Sequence, residues 1–326
     1  MLNIIQRNTE LDDNIWNLNF EFYQKTKLVM HKDYQNVEEF KQSTIKSLNE
    51  NRNDNSFIIL ENDSVLGTFN FQINDKEEKV TLHLNIIESY YNSQLFQKIF
   101  ETIGSKVDKR YKILIKTRNK IENDLLAKFR IDLNLEIEMF LLRKEDLNTK
   151  LLKEWEDKIS TENQDFSLQF YDEIPDDKVE EYTSFFNELL NQMPEGKKET
   201  QKYNLTVDEI KKRYEDNKVN NGAIYSFIIF NNTGEMIAKS NVHIDKNDPS
   251  YPYQFMTGVK DSYRGKQLGR WLKSKMYTKL FEDFPEIKAI ITEMYSHNKY
   301  IQNINSLIGY KNESVTREYI VDMNRP

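Results

Sequence analysis

Arg264, Gly265, Lys266, Gln267, Leu268, Gly269 and Arg270 follow one another without interruption. Three cationic side chains and two glycines in seven residues suit the binding of a phosphate group. The glycines let backbone approach an anion closely, and the cations add charge around it. The flanking sequence strengthens that chemistry. Tyr253 to Val259 is rich in aromatic and β-branched residues and lacks helical spacing, which predicts a strand. Asp261-Ser-Tyr-Arg-Gly makes a turn. From Gln267 onward, Leu268, Trp271, Leu272, Lys275 and Met276 recur at three and four residues, which predicts a helix with a mostly apolar face. A strand, a basic turn and a helix start together leave unpaired backbone N–H groups at the positive end of a helix dipole. Two better-known phosphate loops do not fit. The Gly-x-x-x-x-Gly-Lys-Ser/Thr ending is absent, and so is Gly-x-Gly-x-x-Gly.

A second group of residues capable of chemistry follows at Thr292-Glu-Met-Tyr-Ser-His-Asn298 and runs on to Gly309-Tyr310. Glu293 stands at the end of a predicted strand, Lys288 to Thr292, and His243 lies on an earlier one. Glu235 falls in a hairpin turn and is set aside. Tyr295 and Tyr300 carry phenols in the same stretch as Glu293. Asn298 opens a predicted helix, Lys299 to Ile308, as an N-cap, and Gly309 ends it.

Composition limits the partners. The 326 residues are 38% hydrophobic and 30% charged, enough for about two domains with substantial cores. A net charge of −7 gives no general basic excess for nucleic acid. The local cations near 264–275 suit a small anionic ligand instead. With no cysteine there is no disulfide, thiolate nucleophile or Cys-based metal site. The four histidines, at 31, 83, 243 and 297, are dispersed, so no metal is expected. The N-terminal MLNIIQRNTELDDN has no basic segment leading into a long apolar core, and no run approaches membrane-span length. A cytoplasmic location without membrane contact is expected, as a monomer or homodimer.

The chain also repeats. Ser56-Phe-Ile-Ile-Leu60, a polar turn and Val65-Leu-Gly are matched by Ser226-Phe-Ile-Ile-Phe230, a polar turn and Met236-Ile-Ala. A period of roughly 170 residues is too long for a solenoid and suits a duplicated domain. Both halves read in one order, β-α-α-β-β-β-α-β-α-β. The predicted domains are 1–145 and 165–326, joined by a helical connector over 146–164. An apolar stripe of Leu147, Leu151, Leu152, Trp155 and Ile159 should pack that connector onto a domain. The counterpart of the basic turn in the first half, Ile87 to Leu95, has neither Gly nor a basic residue, and Glu88 would repel a diphosphate.

These features together resemble the GNAT superfamily of acyl-CoA-dependent N-acyltransferases. Its signature is a strand followed by Arg/Gln-x-x-Gly-x-Gly/Ala at the start of a helix. Here that is Val259, then Arg264-Gly-Lys-Gln-Leu-Gly269, with Gln267 where the middle glycine would be. The Asn298 helix ending in Ile308-Gly309-Tyr310 resembles the block after the family's fifth strand. A tyrosine that many members use as general acid is replaced by Asn305. Tandem members resembling mycothiol synthase carry Asn there as well. The resemblance implies an α/β fold with mixed sheets, as two tandem GNAT-like domains of which the N-terminal one is degenerate and binds acyl-CoA poorly or not at all. It implies acetyl-CoA as acyl donor, held by Thr257, Gly258 and Val259, by Arg264 to Arg270 (Gly265, Lys266, Gln267, Leu268 and Gly269 between them), and by Asn298 and Asn303. It implies direct transfer to a primary amine that a base must deprotonate, with Glu293 the first candidate and His243 the second. The acid that Asn305 does not supply is unassigned, with Tyr295 and Tyr300 the nearby candidates.

Three classes of function stay open on the sequence: an N-acetyltransferase with one working domain, a silent acyl-CoA binder, and a scaffold that binds no CoA. The acceptor stays open among aminoglycosides, polyamines, amino sugars and peptide N-termini. Asn191 to Lys198 and Asp245 to Pro252 are the candidate acceptor loops, and the acidic net charge mildly favours a cationic acceptor.

Overall fold

The computed structural model describes residues 2–8, 10–28, 31, 33–50, 55–108, 110–192 and 202–322. The chain divides into two compact units, one comprising Met1–Glu136 with Val315–Pro326 and the other Ile137–Ser314.

In the first unit, β1 (Leu2–Gln6), α1 (Asp13–Thr26), α2 (Val37–Glu50), β2 (Ser56–Glu61), β3 (Ser64–Asn74), β4 (Lys79–Ile86), α3 (Ser93–Gly104), β5 (Lys112–Thr117) and α4 (Asn123–Phe129) follow in order. Its strands lie side by side as β1-β2-β3-β4-β5, with β12 (Lys311–Asp322) next to β5. Apolar residues of β2 to β5 alternate between the two faces of the sheet, and on one of them Phe69, Phe71, Leu82 and Ile115 form a core with Phe96 and Ile99 of α3. The strand β6 (Ile131–Arg143) begins in this unit.

The second unit continues with α5 (Thr149–Glu162), β7 (Ser167–Tyr171), α6 (Val179–Asn191), α7 (Val207–Val219), β8 (Gly222–Phe230), β9 (Met236–Asp245), β10 (Tyr253–Val259), α8 (Leu268–Asp283), β11 (Ala289–Tyr295) and α9 (Lys299–Ile308). Its strand order is β6-β11-β10-β9-β8-β7. One sheet face packs on α5, α8 and α9 through Ile237, Val242, Leu272, Met276 and Ile304. The other packs on α6 and α7 through Tyr182, Phe186, Ile210, Ile228 and Met256. Thr206 opens α7 with a capping box, its hydroxyl accepting from the Glu209 N–H while the Glu209 carboxylate accepts from the Thr206 N–H.

The units are not the two sequence halves. The expected boundaries, 1–145, 146–164 and 165–326, give way to an exchange of closing strands. Ile137 to Arg143 of β6 pair antiparallel with Tyr295 to Ala289 of β11. Arg317 to Asp322 of β12 pair antiparallel with Thr117 to Lys112 of β5. Each unit is therefore completed by the closing strand of the other sequence half. The connector helix also belongs to a unit: Leu152, Trp155 and Ile159 of α5 are buried in the second unit's core with Leu272 and Met276. The stripe thus packs onto a domain, as its spacing predicts.

Candidate functional site

The strands β10 and β11 run parallel, but they pair only at Tyr253–Ile291 and Gln254–Thr292. Beyond those pairs both strands continue, β10 to Val259 and β11 to Tyr295, without a common ladder. A bulge in β10 between Gln254 and Met256 accompanies the separation, on the side where β10 pairs with β9. Past it, Thr257, Gly258 and Val259 stay registered with Ser240, Lys239 and Ala238 of β9. Their outward backbone groups thus face a gap. Gln254 holds the apex closed. Its side-chain amide donates to the carbonyls of Asn241 (2.8 Å) and Met256 (3.0 Å), and its backbone carbonyl accepts from the Thr292 hydroxyl (3.1 Å).

Two clefts that share Thr257 and Asn298 in their linings lie at the gap. One of about 500 Å³ is lined by Thr257, Gly258, Val259, Arg264, Gly265, Gln267, Leu268, Gly269 and Asn298. The other, about 230 Å³, is lined among others by Met256, Thr257, Lys273, Glu293, Tyr295 and Asn298. The expected strand, turn and helix residues are thus brought together.

The first helical residues of α8 reach the larger cleft. Leu268 and Gly269 have no preceding helical carbonyl to bond, and Gln267 provides no side-chain cap. Gly265 sits at φ +84°, a left-handed conformation natural to glycine. Gln267, where the signature has glycine, is also left-handed at φ 61°. The backbone shape of the motif is therefore kept without its glycine, and the Gln267 side chain accepts from Arg270 Nη1 at 2.8 Å. Gly258 is closely overlaid: an added Cβ would lie 3.1 Å from both Leu189 Cδ1 and Met256 Cε.

The cations divide. Arg264 lines the cleft and is held by Asp261 at 2.7 Å. Lys266 is exposed and lies 5.8 Å from the Phe166 ring centroid, while Arg270 lies over Trp155 at 5.1 Å. Neither of these two lines the described clefts. Asn298 does, and its side chain caps α9 by accepting from the Ile301 N–H. Asn303 is exposed on α9 and lines neither cleft, because Ile301, Ile304 and Asn305 occupy the inward face. The contact expected of Asn303 is not supported by this placement.

Glu293 is exposed at the gap and accepts a long hydrogen bond, 3.4 Å, from the Tyr253 hydroxyl. Burial first, and then the Glu293 charge, push the Tyr253 phenol well above its usual range, so it remains a donor. Tyr295 is half-buried at the gap and stacks on His297. Tyr300 is 65% exposed at the rim of the larger cleft. His243 faces α7. Burial, with Arg213 and Lys239 nearby, lowers it to about 4, so it is neutral at neutral pH and a poor proton acceptor. Glu235 is paired with Lys260 at 2.7 Å in its hairpin turn. Asp245 to Pro252 forms turns that line neither cleft, and Asn191 to Lys198 lies largely outside the described residues.

Lys273 was missed by periodicity. It is 1% exposed on α8, reaches the smaller cleft, and donates to the Tyr277 hydroxyl at 2.9 Å, which in turn meets the Tyr310 hydroxyl at 2.9 Å. Burial lowers its pKa to about 7. Lys275, placed on the apolar face by spacing, is instead half-buried and paired with Glu156. The α8 helix is covered on most sides, so apolar spacing does not define one inward face. The lowered pKa of Lys273 leaves a pH signature on stability. The unfolded chain holds its proton up to about 10.5 and the folded chain only to about 7, so stability falls as pH drops between those values. Lys273→Met should therefore gain stability relative to wild type on the order of 1 kcal/mol per pH unit on going from pH 9.5 to 7.5. Urea unfolding of both proteins across that range checks this; a pH-independent difference would contradict it.

The first unit lacks the gap. There β4 and β5 pair in parallel without a break from Lys79–Lys112 to Leu84–Thr117. The start of α3 is closed as well, since the Asn92 side chain accepts from the Leu95 N–H at 2.9 Å. The first unit thus has neither the parted strand pair nor the open helix start at the counterpart positions.

No protein-family model and no curated protein matches the chain. Solved structures do. A tandem GNAT protein from the clavulanic acid biosynthesis pathway, solved without AcCoA, superposes over 100% of both chains with a TM-score of 0.64 at 12% identity. The chain has the tandem GNAT fold. A GCN5-related N-acetyltransferase from Sphaerobacter thermophilus superposes over 100% of this chain and 96% of its own at TM-score 0.63 and 7% identity. The glucosamine N-acetyltransferase region of a fungal multi-domain GH3 β-N-acetylglucosaminidase covers 98% of this chain and 38% of that one, at TM-score 0.54 and 11% identity. Within this GNAT fold, among the described residues, the parted parallel strand pair belongs to the second unit, where the start of α8 lacks the side-chain cap that α3 has in the first.

Proposed function

We propose that the second unit binds acyl-CoA and transfers the acyl group, most simply acetyl, to a primary amine of a small molecule. The observation that carries this reading is the parted β10–β11 pair leading to the uncapped start of α8. The residues fit such a donor. The N–H groups of Leu268 and Gly269, with Arg264 beside them, suit a diphosphate. The free edge of Thr257 to Val259 suits an extended amide chain added as a strand. Acetyl-CoA supplies the activated acyl group as a thioester.

The chain's own residues then handle orientation and protons. Backbone N–H groups on the gap side of β10 polarise a carbonyl. Glu293 receives the proton of the incoming amine, oriented by the Tyr253 hydroxyl. Tyr295 gives a proton to the leaving sulfur. Glucosamine is named for the fungal structural relative, and the acceptor here is left as the class of small primary amines. Placement in the mycothiol synthase-like branch rests on the Asn305 position and the Arg-Gly-x-x-Leu-Gly run.

The test is amine-dependent release of free CoA thiol from acetyl-CoA, scored over a polyamine, an amino sugar, an aminoglycoside and a peptide N-terminus. Glu293→Gln should cut the turnover found at least about a hundredfold with acetyl-CoA affinity unchanged. Wild-type turnover in that variant would remove Glu293 as base. A second reading is a silent acyl-CoA binder. It is favoured by Asn305, which is fully buried and offers only an amide where a proton donor would stand. Binding without amine-dependent release from any acceptor class would select it.

A further inference from the structure

The first unit carries a cavity of about 410 Å³ between α1, α2 and the sheet. A sheet face under helices is normally apolar, yet this floor is polar. Ser56 and Asn70 are cross-strand partners on β2 and β3, as are Thr68 and Asn85 on β3 and β4, and all four line the cavity. Phe22, Tyr23 and Phe40 supply an aromatic wall.

Arg7 enters this cavity just beyond β1. Its backbone N–H is tied to the Ser56 carbonyl at 2.7 Å, which fixes the side chain's root against the floor. One guanidinium nitrogen, Nη2, donates to Asn19 Oδ1 at 3.3 Å. The Nε–H has no partner. Asn19 is 1% exposed, and its own Nδ2 also has no partner. Two unpaired buried groups therefore sit side by side, and both are donors. No Asp or Glu lines the cavity among the described residues. Arg118 stands at the edge with its guanidinium on Asn85 Oδ1 (3.1 Å) and the Thr26 carbonyl (2.9 Å), again on neutral acceptors.

Arg7 is half-buried with a fully buried Nε–H, and a cation withdrawn from water without a counter-charge is costly, to which an unpaired buried donor adds. Burial already pulls the Arg7 guanidinium down to about 10. An arrangement in which every orphan is a donor is complementary to an oxyanion, not to an amine or a cation.

We propose that this cavity is a binding site for a small organic anion, with its carboxylate on Arg7 and Asn19 and its apolar body against Phe22, Tyr23 and Phe40. The site lies wholly in the unit without the strand gap. It gives that unit a ligand of its own, independent of whether the second unit uses acyl-CoA.

The experiment uses the full chain and measures thermal melting with millimolar benzoate, inorganic phosphate and, as a neutral isostere, benzamide. Benzoate is expected to raise the melting temperature by about 3–8 °C when present at about a hundred times its dissociation constant, and benzamide to leave it unchanged. In Arg7→Met the ligand-free protein should melt higher than wild type, because an uncompensated charge is gone. The benzoate shift should be lost in that variant, with affinity at least about tenfold weaker by calorimetry. Asn19→Leu, which keeps Arg7, should weaken benzoate by a smaller factor. A shift with phosphate in place of benzoate would keep the oxyanion site and assign it to phosphate esters. No shift with either anion, or equal shifts in wild type and Arg7→Met, would overturn the proposal and leave Arg7 with a structural role.

Discussion

Gly309→Ala is expected to destabilise the second unit by at least about 4 kcal/mol and to lower its melting temperature by roughly 8–16 °C. Gly309 ends α9 at φ +120°, a conformation that side chains rarely adopt. Its N–H bonds to the carbonyls of Asn305 and Ser306, and the Tyr310 N–H also returns to Asn305, so the backbone there is fixed by the helix end itself. A Cβ at this position would lie 2.1 Å from the Asp146 carbonyl oxygen and 2.9 Å from its carbon. Both obstacles are backbone. Neither can rotate away, because the Asn148 N–H is bonded to the Ile308 carbonyl at 2.9 Å and holds the same segment against the helix end. Conformational strain and steric overlap therefore add. Chemical unfolding followed by circular dichroism checks the value; a loss under 1 kcal/mol would show that the contact between this segment and α9 is not fixed as described.

The second large effect is on binding. Gly269→Asp should weaken acetyl-CoA at least about a hundredfold while changing stability by well under 1 kcal/mol. The nearest atom to an added Cβ is Thr257 Cγ2 at 3.7 Å, an ordinary contact, so the backbone need not move. A carboxylate in the first turn of α8 is favoured by the helix dipole, which protects the fold. The same carboxylate would meet a diphosphate where the N–H groups of Leu268 and Gly269 point. Two like charges about 4 Å apart repel by roughly 4 kcal/mol at an effective dielectric constant of 20, more than a hundredfold in affinity. Unchanged affinity in a folded variant would remove α8 as the phosphate-binding helix.

Local chemistry in the sequence carried a long way. The start and stop of α9 follow from Asn298 and Gly309, because caps are written within a few residues. The strand, turn and helix around Arg264 to Gly269 are likewise local. What sequence periodicity missed depends on distant partners. The exchange of β6 and β12 rests on pairings such as Tyr319 with Ile115, far apart in the chain, and no spacing within either strand announces it. Lys273 is hidden for another reason. A helix buried on most sides has no polar face to contrast with, so a lysine placed inside it reads as a surface residue. Asn303 shows the reverse error, since a polar residue near a motif lies outward once the helix phase is fixed by Ile301 and Ile304. Arg7 reads only as the end of a strand until the fold brings Asn19 and Ser56 to it.

The most direct test of the asymmetry between the units is a calorimetric titration of the full chain with acetyl-CoA, read for stoichiometry. The parted β10–β11 pair against the continuous β4–β5 pair predicts one site per chain, lost in Gly269→Asp. Two sites per chain, or one site that survives Gly269→Asp, would contradict it.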